Sequence, residues 1–234
     1  MRKLTALILV LVLSLSLISA LAESTVVVTG TGETFIPADT AVVSLGVNVR
    51  NTEAPKAQAE ANEIIARVRD ALTGAGFAGE DISTGYINLY GIYDYSSYGG
   101  SETITGYNAS SSLAVRVTDM SRVGEVIDLA FGAGANMLDG VSFSASDDTA
   151  ARAESLKAAV AEAKEKAAVL AEAAGLGDLE IESIQETGFF SYDNAANRFV
   201  TKAAGAAAEA DAATIIQAAK ICVSATVTIT FKAR

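Results

Sequence analysis

The sequence contains no histidine and a single cysteine, Cys222. Without imidazole, neither a Ser-His-Asp nor a Cys-His triad can be assembled, and zinc sites built on histidine are excluded. One thiol cannot close an internal disulfide, even where disulfides persist. Carboxylates remain as the only abundant acids, bases or ligands. Positive charge is also scarce, with 17 Lys and Arg against 28 Asp and Glu and a formal balance of −11. That balance makes nucleic acid and anionic lipid poor partners, and neither is expected. After residue 22 there is no second long apolar run, so no membrane span is expected once the first segment is removed.

That first segment has the form of an export signal. Met1, Arg2 and Lys3 make a short basic start, Leu4 to Ile18 is an unbroken run of apolar and Ser/Thr residues, and Ala20 to Ala22 supplies the small residues of a cleavage site. Residues 1–22 read as a signal peptide, the mature chain begins near Glu23, and the location is secreted or periplasmic. The alternative is an uncleaved anchor, because the apolar run approaches a membrane-spanning length. Cleavage removes two cations and leaves the remainder more acidic still. Residues 23–234 are long enough for one large domain or two small ones, and a chain that is 50% hydrophobic can fill a core.

The stretch "TVVVTGTGETF" at 25–35 raises the possibility of a phosphate loop. Such a loop needs a helix to begin at once, so that free N–H groups face the anion. Here Val43, Leu45, Val47 and Val49 instead alternate with Ser44, Gly46, Asn48 and Arg50, which is strand periodicity. Pro37 bars a helix interior nearby, and the third glycine of the dinucleotide fingerprint is missing. Gly30 and Gly32 are better read as allowing a bulge or a crowded backbone.

Further along, Pro55 opens a helix carrying Ala57, Ala61, Ile64, Ile65, Val68 and Leu72. Two strand-like segments, "ISTGYINLYGIYDY" and "TITGYNASSSLAVRV", follow as a long hairpin, the second with Tyr107, Ala109, Ser111, Leu113, Val115 and Val117 on one face. Asp119 or Ser121 caps a short helix carrying Val123, Val126, Ile127 and Ala130. After "GVSFSAS", a long helix from about Thr149 to Ala174 carries Leu156, Val160, Ala163, Ala167, Leu170 and Ala174, with Glu162 and Lys166 one turn apart on another face. "DLEIESIQ" and "ICVSATVTITFK" supply the last strands, the latter alternating from Ile221 to Phe231.

Strand, helix, Gly-rich stop, strand and strand occur from about 41 to 118 and again from about 141 to 232. Two βαββ-like units of an α+β fold are expected, with a largely antiparallel sheet and helices packed on it. A connector at about 186–220 begins aromatic and becomes alanine-rich, and is read as a mobile excursion or a short local helix.

The stretches "VTGTGETFIPADTAVVSLGV", "ANEIIARVRDALTGAGFAGEDISTGYINLYGIYDY", "ITGYNASSSLAVRVTDMSRVGEVIDLAFGAGANMLDGVSFSASD" and "VSATVTITF" resemble the SIMPL domain family in register across nearly the whole mature chain. The resemblance implies an exported α+β protein of periplasmic or secreted settings. Some members are described as oxidative-stress defence proteins or surface antigens, and the family brings no agreed enzymatic activity. The chain departs from the family between Phe189 and Lys220, where many relatives carry a Pro-rich or Met-rich connector.

With no catalytic residue to carry over, candidate features stand on their own. Tyr86, Tyr90, Tyr93, Tyr95, Tyr98 and Tyr107 crowd the hairpin and its tip. They suit a protein interface, with a ligand- or glycan-binding surface as the alternative and ordinary cross-strand packing as the plain explanation. Cys222, on the Ser224, Thr226 and Thr228 side of its strand, is a candidate redox or intermolecular thiol, or simply buried. Asp147 and Asp148 precede the long helix. Capping by Ser146 or Asp147 explains them better than calcium, so no metal is expected. "NAS" at Asn108 matches a glycosylation acceptor by chance, inside a strand. No cofactor and no catalytic residue are assigned, and a carboxylate-dependent hydrolase lacks paired acids that can be placed in one cleft. The expectation is a non-enzymatic exported protein acting through self-association as a homo-oligomer, or through an envelope or extracellular partner.

Overall fold

A computed structural model of the chain describes residues 24–94, 103–193, 214–218 and 220–233. These form seven strands and three α-helices, in the order β1 (Thr25–Pro37), β2 (Thr40–Asn51), α1 (Ala54–Gly74), β3 (Ile82–Asp94), β4 (Thr103–Val117), α2 (Val123–Gly132), β5 (Met137–Ser144), α3 (Thr149–Ala174), β6 (Leu179–Asp193) and β7 (Lys220–Ala233). The fold is α+β, with strand order β1-β7-β6 in one sheet and β3-β4-β2-β5 in the other. Most of the connector at 186–220 lies outside the described residues, as do Tyr95 and Tyr98. The chain divides into two compact units.

The first unit holds residues 24–34, 152–190 and 224–233. Ser24 bonds to Ala233 and Thr29 lies beside Thr228, so β1 and β7 run antiparallel. Every second residue of β1, namely Val26, Val28, Gly30 and Gly32, is buried. Val26 and Val28 join Val227, Ile229 and Phe231 in a core closed by Ala159, Ala163 and Ala167 of α3. The glycines continue the same inward face where α3 crosses β1 at backbone contact. A Cβ on Gly30 would lie 2.1 Å from the Ala159 carbonyl oxygen, and one on Gly32 would lie 2.1 Å from that of Ser155. The crowded-backbone reading of "GTG" is therefore the one the geometry supports.

This close approach changes which face of α3 is buried. The buried stripe is Ser155, Ala159, Ala163, Ala167 and Ala171, at a strict spacing of four. Leu156 and Val160 pack only at its flank, and Leu170 and Val169 are exposed. The stripe through Leu156, Leu170 and Ala174 expected from apolar spacing is corrected accordingly. Only small residues fit where helix and strand backbones touch, so bulky ones move aside.

The second unit carries the four-stranded sheet, antiparallel throughout. Val43, Leu45, Val47 and Val49 of β2 are buried as alternation predicts, as are Ala109, Leu113, Val115 and Val117 of β4. On this face Val47, Val49 and Ala109 meet Ala57 and Ala61 of α1, flanked by Ile64, Ile65 and Tyr107. Pro55 sits in the first turn of α1, where its missing N–H costs no helical bond. Asp119 accepts bonds from the Ser121 amide at 3.0 Å and hydroxyl at 2.6 Å, forming the cap before α2. Asp147 accepts from the Thr149 amide at 2.9 Å at the start of α3, and its pKa is lowered first by hydrogen bonding to the Thr149 side chain and then by this amide.

Gly30→Ala should lower the unfolding free energy by about 1–3 kcal/mol, the usual cost of forcing atoms into a filled contact. Gly79, where an added Cβ meets nothing within 4 Å, supplies the control, and Gly79→Ala should be close to neutral in the same urea titration.

Candidate functional site

The Tyr-rich hairpin is β3 and β4, and β3 is an outer strand of its sheet. Only Ile82 at its start is buried, and the rest of the strand lies open or half-open on both faces. Two register shifts interrupt its pairing with β4, one between Thr84 and Ile87 and one between Ile92 and Tyr93. Between them Ile87 to Ile92 pairs regularly with Ser111 to Gly106. At the first shift the Tyr86 amide donates to Ser112 Oγ at 3.0 Å, replacing a ladder bond with a hydroxyl. Residue 85 must be glycine for this, because a Cβ there would sit 2.5 Å from the same Oγ.

The tyrosines do not act as one set. Tyr86, Tyr90 and Tyr93 are exposed, Tyr90 at 50%, together with Ile87 at 61% and Leu89. Tyr107 instead packs against the α1 core and leaves that surface. The Tyr86 phenol is held above its ordinary pKa, first by partial burial and then by the Asp139 carboxylate. Tyr90 Oη receives a hydrogen bond from Asn108 Nδ2 at 2.7 Å. Asn108 itself is 1% exposed and its Oδ1 has no partner, so the amide is withheld from the surface.

Beside Asn108, the serine run of β4 is buried on both faces, which alternation did not foretell. Ser111 lies opposite Val47, and Ser110 accepts from Asn48 Nδ2 at 3.2 Å. Ser112 faces Gly46, where a Cβ would meet the Ser111 carbonyl oxygen at 2.3 Å. These small residues let the two central strands lie close while the Ser110 and Ser112 hydroxyls stay bonded.

Side chains close the β1 border and the part of β2 that β5 leaves uncovered. The Thr31 amide and hydroxyl of β1 both donate to Glu162 of α3, the hydroxyl at 3.0 Å, and Lys166 donates to the Thr29 carbonyl at 3.1 Å. Glu162 and Lys166 also pair with each other at 3.1 Å. These contacts depress the Glu162 pKa, the Thr31 amide foremost. In the second unit, Asn136 donates to the Gly46 carbonyl through its own amide, and its side chain both gives to and receives from the Asn48 backbone, at 2.9 and 2.8 Å. A carboxamide so placed extends the ladder of β2 past the end of β5. Asp39 does similar work at the other end of β5, bonding Ser144 through its amide and Ser146 through its carboxylate. By contrast, among the described residues no side chain from another element reaches the outer side of β3 between Ile82 and Ile92; the bonds made there by Ser112 and Thr105 come from β4.

The remaining candidates fall elsewhere. Cys222 is buried at 1% exposure, although it lies on the side of β7 away from the core alternation. Asp147 serves as a cap, and among the described residues no group of three or more potential ligands gathers to hold a metal. No helix among the described residues is long and apolar enough to cross a membrane.

The architecture defines an α+β protein with helices packed on antiparallel sheets. Residues 26–231 match the SIMPL family, described as a protein of unknown function (DUF541), and the chain belongs to that family. It is 35% identical over 164 residues to the "26 kDa periplasmic immunogenic protein" of Brucella melitensis and of Brucella abortus, covering 69% of this chain and 66% of each relative. It is 28% identical over 146 residues to "Uncharacterized protein YggE" of Escherichia coli K12, covering 62% of this chain and 58% of that protein. The matched part thus spans just under two thirds of the Brucella proteins and less of the third. The chain is an exported protein of this bacterial family, secreted or periplasmic.

Tyr90→Phe should leave the buried Asn108 amide without its partner and cost about 1–3 kcal/mol of stability, read from denaturant midpoints. For the Glu162 grip on β1, the folded-state pKa is lowered, so its contribution is present above the ordinary carboxylate range and lost as pH falls through the depressed value. Glu162→Gln should therefore be less stable than the parent at about pH 7, and the two curves should converge as the pH falls through the depressed Glu162 value. A constant gap across that range would show that the carboxylate charge is not what holds the edge.

Proposed function

We propose that this exported SIMPL protein is non-enzymatic and works by assembling with copies of itself through the β3 edge, in the setting of envelope stress tolerance. The observation that supports this most directly is the open β3 edge. Among the described residues no side chain from another element seals its outer side from Ile82 to Ile92, beside exposed Tyr86, Ile87, Leu89 and Tyr90. Strand edges of this kind pair readily with another chain, and tyrosine brings large contact area at low entropic cost. A second copy fits, because β3 carries no charge before Asp94 and two copies running antiparallel place no like charges opposite one another. The stress setting rests on the family alone.

A second reading takes the same hairpin as a ligand- or glycan-binding surface. The exposed rings of Tyr86, Tyr90 and Tyr93 favour it, since they offer stacking surface with polar tips. The joint Tyr90→Ala and Tyr93→Ala variant separates the two: lost assembly supports the interface, and intact assembly with lost glycan retention supports the ligand site.

For the leading reading, light scattering coupled to size-exclusion chromatography should give a defined multimer whose mass is unchanged by reductant. Ile87→Lys, placed on an exposed position, should convert it to monomer with an unchanged far-ultraviolet circular dichroism spectrum. A parent chain that is monomeric at every concentration tested would remove the assembly reading.

A further inference from the structure

The three-stranded sheet has two outer strands, β1 and β6, and they are treated differently. The β1 edge is closed by Glu162 and Lys166, as described above. Along β6, among the described residues, no side chain from another element bonds the backbone of the open side between Ile181 and Phe190. Thr187 Oγ1 donates to the Thr226 carbonyl on the neighbouring strand β7.

The two faces of β6 carry different chemistry. Leu179 packs with the α3 core, and the Arg152 guanidinium of α3 lies 3.9 Å from the centre of the Phe189 ring, so odd-numbered residues face the helix. Even-numbered residues face the other way: Glu180, Glu182, Ile184, Glu186 and Phe190. Glu182 meets Lys232 of β7 at 3.4 Å on that face. Ile184 and Phe190 are exposed there, and Glu186 is exposed as well.

This pattern argues against the protein's own edges as the occupant. Two β6 strands running antiparallel would bring glutamates close across the pair, a destabilising arrangement, and β3 offers no Lys or Arg to answer them. We infer that the β6 edge accepts an extended cationic peptide segment, in which Lys or Arg alternates along one face and meets Glu182 and Glu186 while apolar residues lie beside Ile184 and Phe190. The peptide backbone supplies the ladder and the alternating side chains supply selectivity, as in other strand-addition complexes. The overall charge of −11 adds long-range attraction for such a segment. The inference concerns β6 and is independent of the β3 assembly.

The test uses a fluorescently labelled peptide, Phe-Thr-Ala-Thr-Lys-Thr-Val-Thr-Lys-Thr-Lys, titrated with the full chain and read by anisotropy. Saturable binding that weakens with added salt is expected. Replacing each Lys by Glu should abolish it, and so should N-methylation of alternate peptide residues, which preserves charge but removes ladder donors. Joint Glu182→Gln and Glu186→Gln should weaken it about fivefold. The Ile87→Lys chain should bind the peptide as the parent does, which keeps this result separate from assembly. Equal binding of the N-methylated peptide would overturn strand addition, and equal binding of the Lys-to-Glu peptide, or no binding of the parent peptide, would overturn the inference as a whole.

Discussion

A strand at the border of a sheet exposes backbone N–H and C=O groups that must find water, a side chain or another chain, and the arrangement of this protein follows from how each border meets that demand. Where α3 lies along β1, a carboxylate and an ammonium one helical turn apart take one amide and one carbonyl of the strand. Where β5 is too short to cover β2, the Asn136 carboxamide, which carries both a donor and an acceptor, stands in for a missing strand residue. A peptide group and a primary amide have the same hydrogen-bonding complement, so this substitution loses no bond. Among the described residues the β3 and β6 borders have no such cover, and their tyrosine and glutamate side chains distinguish them as surfaces.

The seal on β1 depends in turn on how near α3 can come. Glu162 and Lys166 reach the strand because Gly30 and Gly32 let the helix descend to backbone contact, and the helix answers with Ala159 and Ala163. The same four residues therefore serve packing and edge protection together. Bulkier residues at those positions would lift α3, and the side chains that close the edge would fall short before the core itself emptied.

Much of this was legible in the sequence where the signal is local. The β2 and β7 alternations and the α1 spacing from Ala57 to Leu72 give the right inward faces, because each needs only its own periodicity. The α3 face was not legible from apolar spacing. Alanine is ambiguous in such patterns, and the preference for it over Leu170 comes from glycines more than a hundred residues away in the chain. The burial of Ser110 and Ser112 was hidden for a related reason. Serine reads as an outward residue until Gly46 and Asn48 are known to face it. Glu162 and Lys166 could be seen as a helical pair but not as partners of β1, and nothing near Asn136 marks its place beside Asn48. Whether a strand is an edge depends on sheet order, which is a long-range property. The tyrosines could be named, but their separation into exposed Tyr90 and core-packed Tyr107 required the register.

Charge decides what an open edge can accept. Among the described residues both β3 and β6 present unsealed backbone, so hydrogen bonding alone would let any extended chain add to either. Side chains break that equivalence. An incoming strand on β3 meets hydroxyl, amide and apolar groups, and a second copy of the same strand brings nothing they repel. An incoming strand on β6 meets glutamates at close spacing, and it is tolerated only if it brings positive charge or leaves those carboxylates solvated. Opposed like charges cost about as much as a good cross-strand pair gains, roughly 0.2–1 kcal/mol for each. Glu182 already meets Lys232 on that face, so Glu186 is the carboxylate through which that term separates two otherwise similar borders into different partners. No histidine lies on either edge, so neither carries an imidazole whose charge changes near neutrality.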